Sequence, residues 1–154
     1  VTTTGLPFTA RHLVIRFNGQ TSGAVDVLLR LNTDSGSNYN RQELTGASST
    51  AAALRSSGET SYEFVRSVST SNIFASGEVL IPDALSTRSH KSILSIGGKN
   101  EAEVRLDAGR WASTSAVTSV TVFPASGNFA VGTTIELAVV DEMFAIPGAE
   151  TIII

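Results

Sequence analysis

Apolar and polar residues alternate with a period of two over much of the chain, and no i, i+3, i+4, i+7 stripe persists. In residues 11–17, Arg11, Leu13, Ile15 and Phe17 alternate with His12, Val14 and Arg16, and Asn18-Gly19 follows as a turn signal. Val25, Val27, Leu29 and Leu31 then face opposite to Asp26, Leu28 and Arg30, the pattern of a half-buried strand. Residues 32–40 are dense in Asn, Asp, Ser and Gly, whose side chains bond their own backbone, so a loop is expected. Residues 45–61 are rich in Ala and Ser, and 51–55 fit either a short strand or a single helical turn. Tyr62, Phe64 and Arg66 against Glu63 and Val65 predict another strand. So do residues 74–82, ended by Pro82, and residues 91–96, with Gly97-Gly98 as the turn after them. A short strand at 102–106 follows. In residues 116–123, Val117, Ser119, Thr121 and Phe123 oppose Thr118, Val120 and Val122, and residues 133–140 form the last strand.

Eight or nine short strands separated by turn signals predict an all-β protein: an antiparallel two-sheet β-sandwich with a jelly-roll topology. Leu13, Ile15, Phe17, Val25, Val27, Leu29 and Leu31 are its predicted core. Residues 1–10, broken by Gly5 and Pro7, are expected as an N-terminal arm, 11–140 as the sandwich domain and 141–154 as a C-terminal arm. The chain opens on Val1 and not Met, which fits a processed start or a piece of a longer polypeptide.

Composition narrows the chemistry. At 154 residues the chain is the size of one domain. It has no Cys, which excludes a disulfide framework and any thiolate metal site. No apolar run approaches the roughly 18 residues of a membrane helix, so no membrane partner is expected. A net charge of −3 gives no support to a nucleic-acid surface. Nine Arg stand against two Lys, a balance compatible with planar, bidentate pairing across an interface. The anions Asp141, Glu142 and Glu150 lie in the last fourteen residues, so the first 140 hold 11 cations and 11 anions.

Candidate chemistry is sparse. His12 and His90 lack a nucleophile elbow and read as ordinary side chains. Glu101 and Glu103 share a face only as solvated residues beside a turn. Asp34 to Asn38 offers oxygen ligands but too few carboxylates for Ca²⁺, so a hydrogen-bonded turn is expected. No catalytic residue, metal site or cofactor is predicted, and an enzyme is not expected. Trp111, the single Trp, fits core packing, with stacking on a glycan as the alternative. In the tail, Met143, Phe144, Ile146, Ile152, Ile153 and Ile154 are large apolar side chains beyond a complete run of strands, and they are the candidate assembly contacts.

Three stretches carry a family resemblance. The first joins residues 11–17 and 25–31 to the loop Asp34-Ser35-Gly36-Ser37-Asn38-Tyr39 and Leu44-x-Gly46. The second is Phe74-x-Ser76-Gly77 with residues 78–81 and His90-Lys91-Ser92. The third is residues 111–124, from Trp111-x-x-Thr114 to Phe123-Pro124, followed by residues 127–135, from Gly127-Asn128-Phe129 to Thr134-Ile135. From about residue 8 to 140 the chain resembles a β-sandwich module of tailed-bacteriophage virion structural proteins. The resemblance implies a non-enzymatic virion protein, at the head or tail surface, whose partners are capsid or tail subunits. A capsid decoration (cement) protein is the first expectation, and a tail or fibre module binding a host receptor or glycan is the alternative. A homo-oligomer, specifically a trimer, is implied as well. The acidic, apolar tail departs from the pattern, since such modules stop soon after the last strand.

Overall fold

A computed structural model describes residues 1–4, 11–68, 73–99 and 102–140. Among these residues eleven strands form, and no helix. In chain order they are β1 (Thr2–Thr4), β2 (His12–Gly19), β3 (Val25–Leu31), β4 (Tyr39–Ala47), β5 (Thr50–Glu59) and β6 (Tyr62–Val68). Then come β7 (Ala75–Ile81), β8 (Lys91–Lys99), β9 (Glu103–Trp111), β10 (Ser119–Pro124) and β11 (Thr134–Val140). Two antiparallel sheets pack as a sandwich. One is four-stranded in the order β1-β10-β3-β6, and the other seven-stranded in the order β11-β2-β7-β8-β9-β4-β5.

The core is the one the alternation predicts. Leu13, Ile15 and Phe17 of β2 and Val27, Leu29 and Leu31 of β3 are buried between the sheets, with Val79, Ile81, Ile93, Val120 and Val122. Phe64 meets Phe17 edge to face at 6.3 Å. Val25 is half-buried at the margin.

Several expectations are corrected. Asn18-Gly19 does not turn a hairpin: β2 runs through Gly19, and β2 and β3 belong to different sheets. Gly97-Gly98 is not a turn either, because β8 continues to Lys99, paired with Glu103. Of the two alternatives for residues 51–55 the strand is the one that forms, within β5, the hairpin partner of β4. The predicted strand at 102–106 reaches Trp111. The leading segment is not a free arm throughout, since Thr2–Thr4 pairs with β10 as the sheet's edge. The C-terminal arm lies outside the described residues.

β6 departs from alternation. Its pairing with β3 shifts register between Val25 and Val27 and again between Val27 and Leu28. Each bulge places an extra residue on β6, so Phe64 and Val65 are both buried although adjacent. The glycines that read as a turn make room for this strand. A Cβ on Gly97 would lie 2.7 Å from the Phe64 carbonyl oxygen, and one on Gly77 would meet Val65 and Phe64. Backbone cannot retreat as a side-chain tip can. Gly97→Ala should therefore lower stability by about 1–3 kcal/mol. Gly23→Ala, whose added methyl would meet nothing within 4 Å, should leave the melting temperature nearly unchanged. Thermal melts of the two variants check this.

Candidate functional site

Residues paired directly across strands share a face, so the register assigns every side chain of the seven-stranded sheet to the inside or the outside. On the inside, the row Ile135–Phe17–Gly77–Gly97–Arg105–Thr45 begins apolar and ends polar. The next row, Leu137–Ile15–Val79–Ser95–Asp107–Glu43, does the same. On the outside the order reverses: Glu136–Arg16–Glu78 gives way to Ile96–Leu106–Leu44. The sheet thus exchanges the polarity of its two faces between β7 and β8.

The inner polar half is a closed ionic cluster. Glu43 accepts from Arg105 at 2.9 Å, Arg66 at 3.1 Å and Arg41 at 3.4 Å, and its other oxygen accepts from Thr45 Oγ1. Glu63, on β6, accepts from Arg41, Arg66 and Arg105. Arg105 also donates to Asp107 at 3.1 Å, and Asp107 accepts from Ser95, whose oxygen in turn accepts from Tyr62 Oη–H at 3.2 Å. Three guanidiniums balance three carboxylates. Among the described residues, Arg105 Nε is the buried side-chain polar atom left without a partner. Burial pushes the Glu63 carboxyl up, but the Arg105 hydrogen bond and the three Arg charges outweigh it and hold Glu63 below the usual range. Burial dominates at Asp107 and raises it despite Arg105. Every carboxylate oxygen of this cluster is engaged by a fixed donor, which suits a structural clamp and leaves no free acid–base pair.

The loop before β4 is a hydrogen-bonded turn. Asp34 Oδ1 accepts from Gly36 N–H at 2.8 Å, and Oδ2 accepts from Asn38 at 2.9 Å and Trp111 Nε1 at 2.6 Å. The Trp111 bond, the largest influence, holds the Asp34 carboxyl below its ordinary value. Tyr39 Oη accepts from Leu31 N–H at 2.9 Å, and burial pushes its pKa up to about 12. Trp111 is only 2% exposed. The glycan alternative for it is corrected on that ground, because no ring face is open to stack on a sugar. His12 accepts from the Asp83 backbone N–H, and His90 is exposed in a connection. Glu103 opposes Lys99, while Glu101 lies outside the described residues. Met143, Phe144, Ile146, Ile152, Ile153 and Ile154 lie outside them too.

What alternation alone does not locate is the outer face. Leu44, Leu94, Ile96, Val104 and Leu106 are 46–58% exposed on three neighbouring strands, β4, β8 and β9. The pattern of Leu44, Val104 and Leu106 against Glu43, Arg105 and Asp107 is visible in the sequence, but it would place the apolar set inside. A shallow groove of about 980 Å³ borders this patch, lined by Phe74, Ile96, Gly98 and Val104 and by Arg16, Glu78 and Glu136. Beside it, among the described residues, β5 pairs only with β4 and is exposed along nearly all its length, Leu54 included, because the four-stranded sheet ends at β6. In comparison with known proteins, the chain matches no family model, no curated protein and no solved structure.

The cluster and the exposed pairs should respond differently to substitution. Glu43→Ala, which leaves buried guanidiniums short of an acceptor, should cost about 3–5 kcal/mol in denaturant unfolding. Breaking the exposed Arg16–Glu78 pair with Arg16→Ala should leave the unfolding midpoint nearly unchanged. The depressed Glu63 carboxyl contributes stability above its unfolded value, about pH 4.3, and loses it as pH falls through the folded value. Glu63→Gln should therefore melt well below the parent at neutral pH, with the gap closing in acid. Melting curves across that pH range check the sign. Asp107, raised in the fold, contributes the opposite slope.

Proposed function

We propose that the protein is a non-enzymatic structural subunit that works through subunit–subunit contact, a virion protein of a tailed bacteriophage of the capsid-decoration kind. One observation carries the assembly role: the second half of the large sheet turns Leu44, Leu94, Ile96, Val104 and Leu106 outward and Glu43, Arg105 and Asp107 inward. A five-residue apolar patch of this sort on a soluble domain favours association. The closed ionic cluster supports the non-enzymatic side, since its carboxylates are all held by fixed donors. The phage and decoration parts of the proposal rest on the resemblance of residues 8–140. Its partners are other virion proteins and further copies of itself, and its place is the virion surface. The tail or fibre alternative, with a receptor or glycan as ligand, is left without its named contact by the burial of Trp111.

Immunogold labelling of purified particles with an antibody against this chain tests the proposal. Gold over the head shell is the expected result. Gold confined to the tail would replace decoration by the tail alternative, and particles that carry none of the chain would overturn the virion role altogether.

A further inference from the structure

We propose that the outer face of β8, β9 and β4 is the docking site for the same face of a second copy of this chain, the two sheets packing front to front about a two-fold axis along β9. The inference deepens the assembly reading and rests on it, and it names the partner and the surface.

A one-residue slip of β4 or β9 would send Leu44, Val104 and Leu106 inward and Glu43, Arg105 and Asp107 into water. The fold adopts the reverse arrangement and fixes it with the ion pairs of the cluster. Such an arrangement is favourable when the outward side chains are themselves covered.

With the axis along β9, the strands β7, β8, β9, β4 and β5 of the two copies overlap. At about 4.8 Å apart they span roughly 20 Å, and nine residues at about 3.4 Å make the face roughly 30 Å long. That overlap of about 600 Å² per partner, about 1,200 Å² for the pair, reaches the lower bound of specific interfaces. Front-to-front packing about 10 Å apart is how sandwich sheets already meet.

The face is also self-complementary. Rotation about an axis along β9 keeps each cross-strand row opposite itself. Leu106 then meets its own counterpart, and Ile96 of β8 meets Leu44 of β4, since all three share one row. The product is a two-fold pair in place of the trimer that the resemblance implies.

Sedimentation velocity on the purified full chain tests this, and it is independent of particle labelling, so the pair and the virion role can fail separately. The parent should sediment as a dimer. Leu106→Arg and Ile96→Arg, both at outward positions, should keep the far-UV spectrum and raise the dissociation constant by more than about tenfold. The chain has no Cys, so Leu106→Cys introduces a unique thiol. Mild oxidation should cross-link it into a covalent dimer, while Thr118→Cys, exposed away from this face, should stay uncrosslinked. A parent that is monomeric at its highest soluble concentration overturns the proposal. So does a parent trimer, an oligomer insensitive to both Arg variants, or a Leu106→Cys chain that does not cross-link. A parent monomer that dimerises once residues 141–154 are deleted also overturns it, because the chain's own C-terminal segment would then be the occupant.

Discussion

Six charges, three of them fully buried and three partly so, tie β6 to the large sheet and hold this sandwich together at one end. Arg41, Arg66 and Arg105 meet Glu43, Glu63 and Asp107, and through them β6 grips the half of the large sheet that has few inward apolar side chains. Taking such groups out of water is expensive, and well-packed hydrophobes of similar volume are often as stabilising. What the ionic cluster adds is direction. Guanidinium forks and carboxylates must meet in one geometry, so the bulged β6 has one place to sit. The doubled inward residues Phe64 and Val65, the glycines at 77 and 97 that admit the strand, and the Tyr62–Ser95–Asp107 chain all follow from that placement.

The same cluster dictates the outer surface. A strand has two faces, and a charge turned in turns its neighbour out. With Arg105 and Asp107 inside, Val104 and Leu106 must point outward, and with Glu43 inside, Leu44 must too. The apolar patch is thus the other side of the ionic cluster, set by the same strand registers.

Much of this is legible along the chain. β2 and β3 are covered on one face by apolar partners, so their alternation translates directly into a core: Leu13, Ile15, Phe17, Val27, Leu29 and Leu31. β5 is ambiguous because both of its faces are exposed, and a strand that buries nothing has no periodicity to detect. β6 reads as strict alternation and breaks it by bulging, a change of register that composition does not announce. Gly97-Gly98 carries the usual signal of a turn, but the glycines answer to a backbone brought close from the other sheet. The polar rows of β4 and β9 require the most context. Arg105-x-Asp107 and Arg41-x-Glu43-x-Thr45 are period-two runs of polar and charged residues, and only pairing with Glu63 and Arg66 of a distant strand makes them inward-facing.

The order of strands also governs how the chain can mature as it is synthesised. β2 pairs with β7 on one side and with β11 on the other, so one of its edges stays open until residues 134–140 have emerged. β1 waits as long for β10, more than a hundred residues downstream. Pairings this distant in sequence form slowly, since loop closure must precede the contacts that reward it. During that interval the β2 edge, flanked by Leu13, Ile15 and Phe17, is a template for any other extended chain. A crowded polysome producing this protein would hold many such edges at once, and the meander of β7, β8 and β9, built from neighbours in sequence, is the part able to form ahead of them.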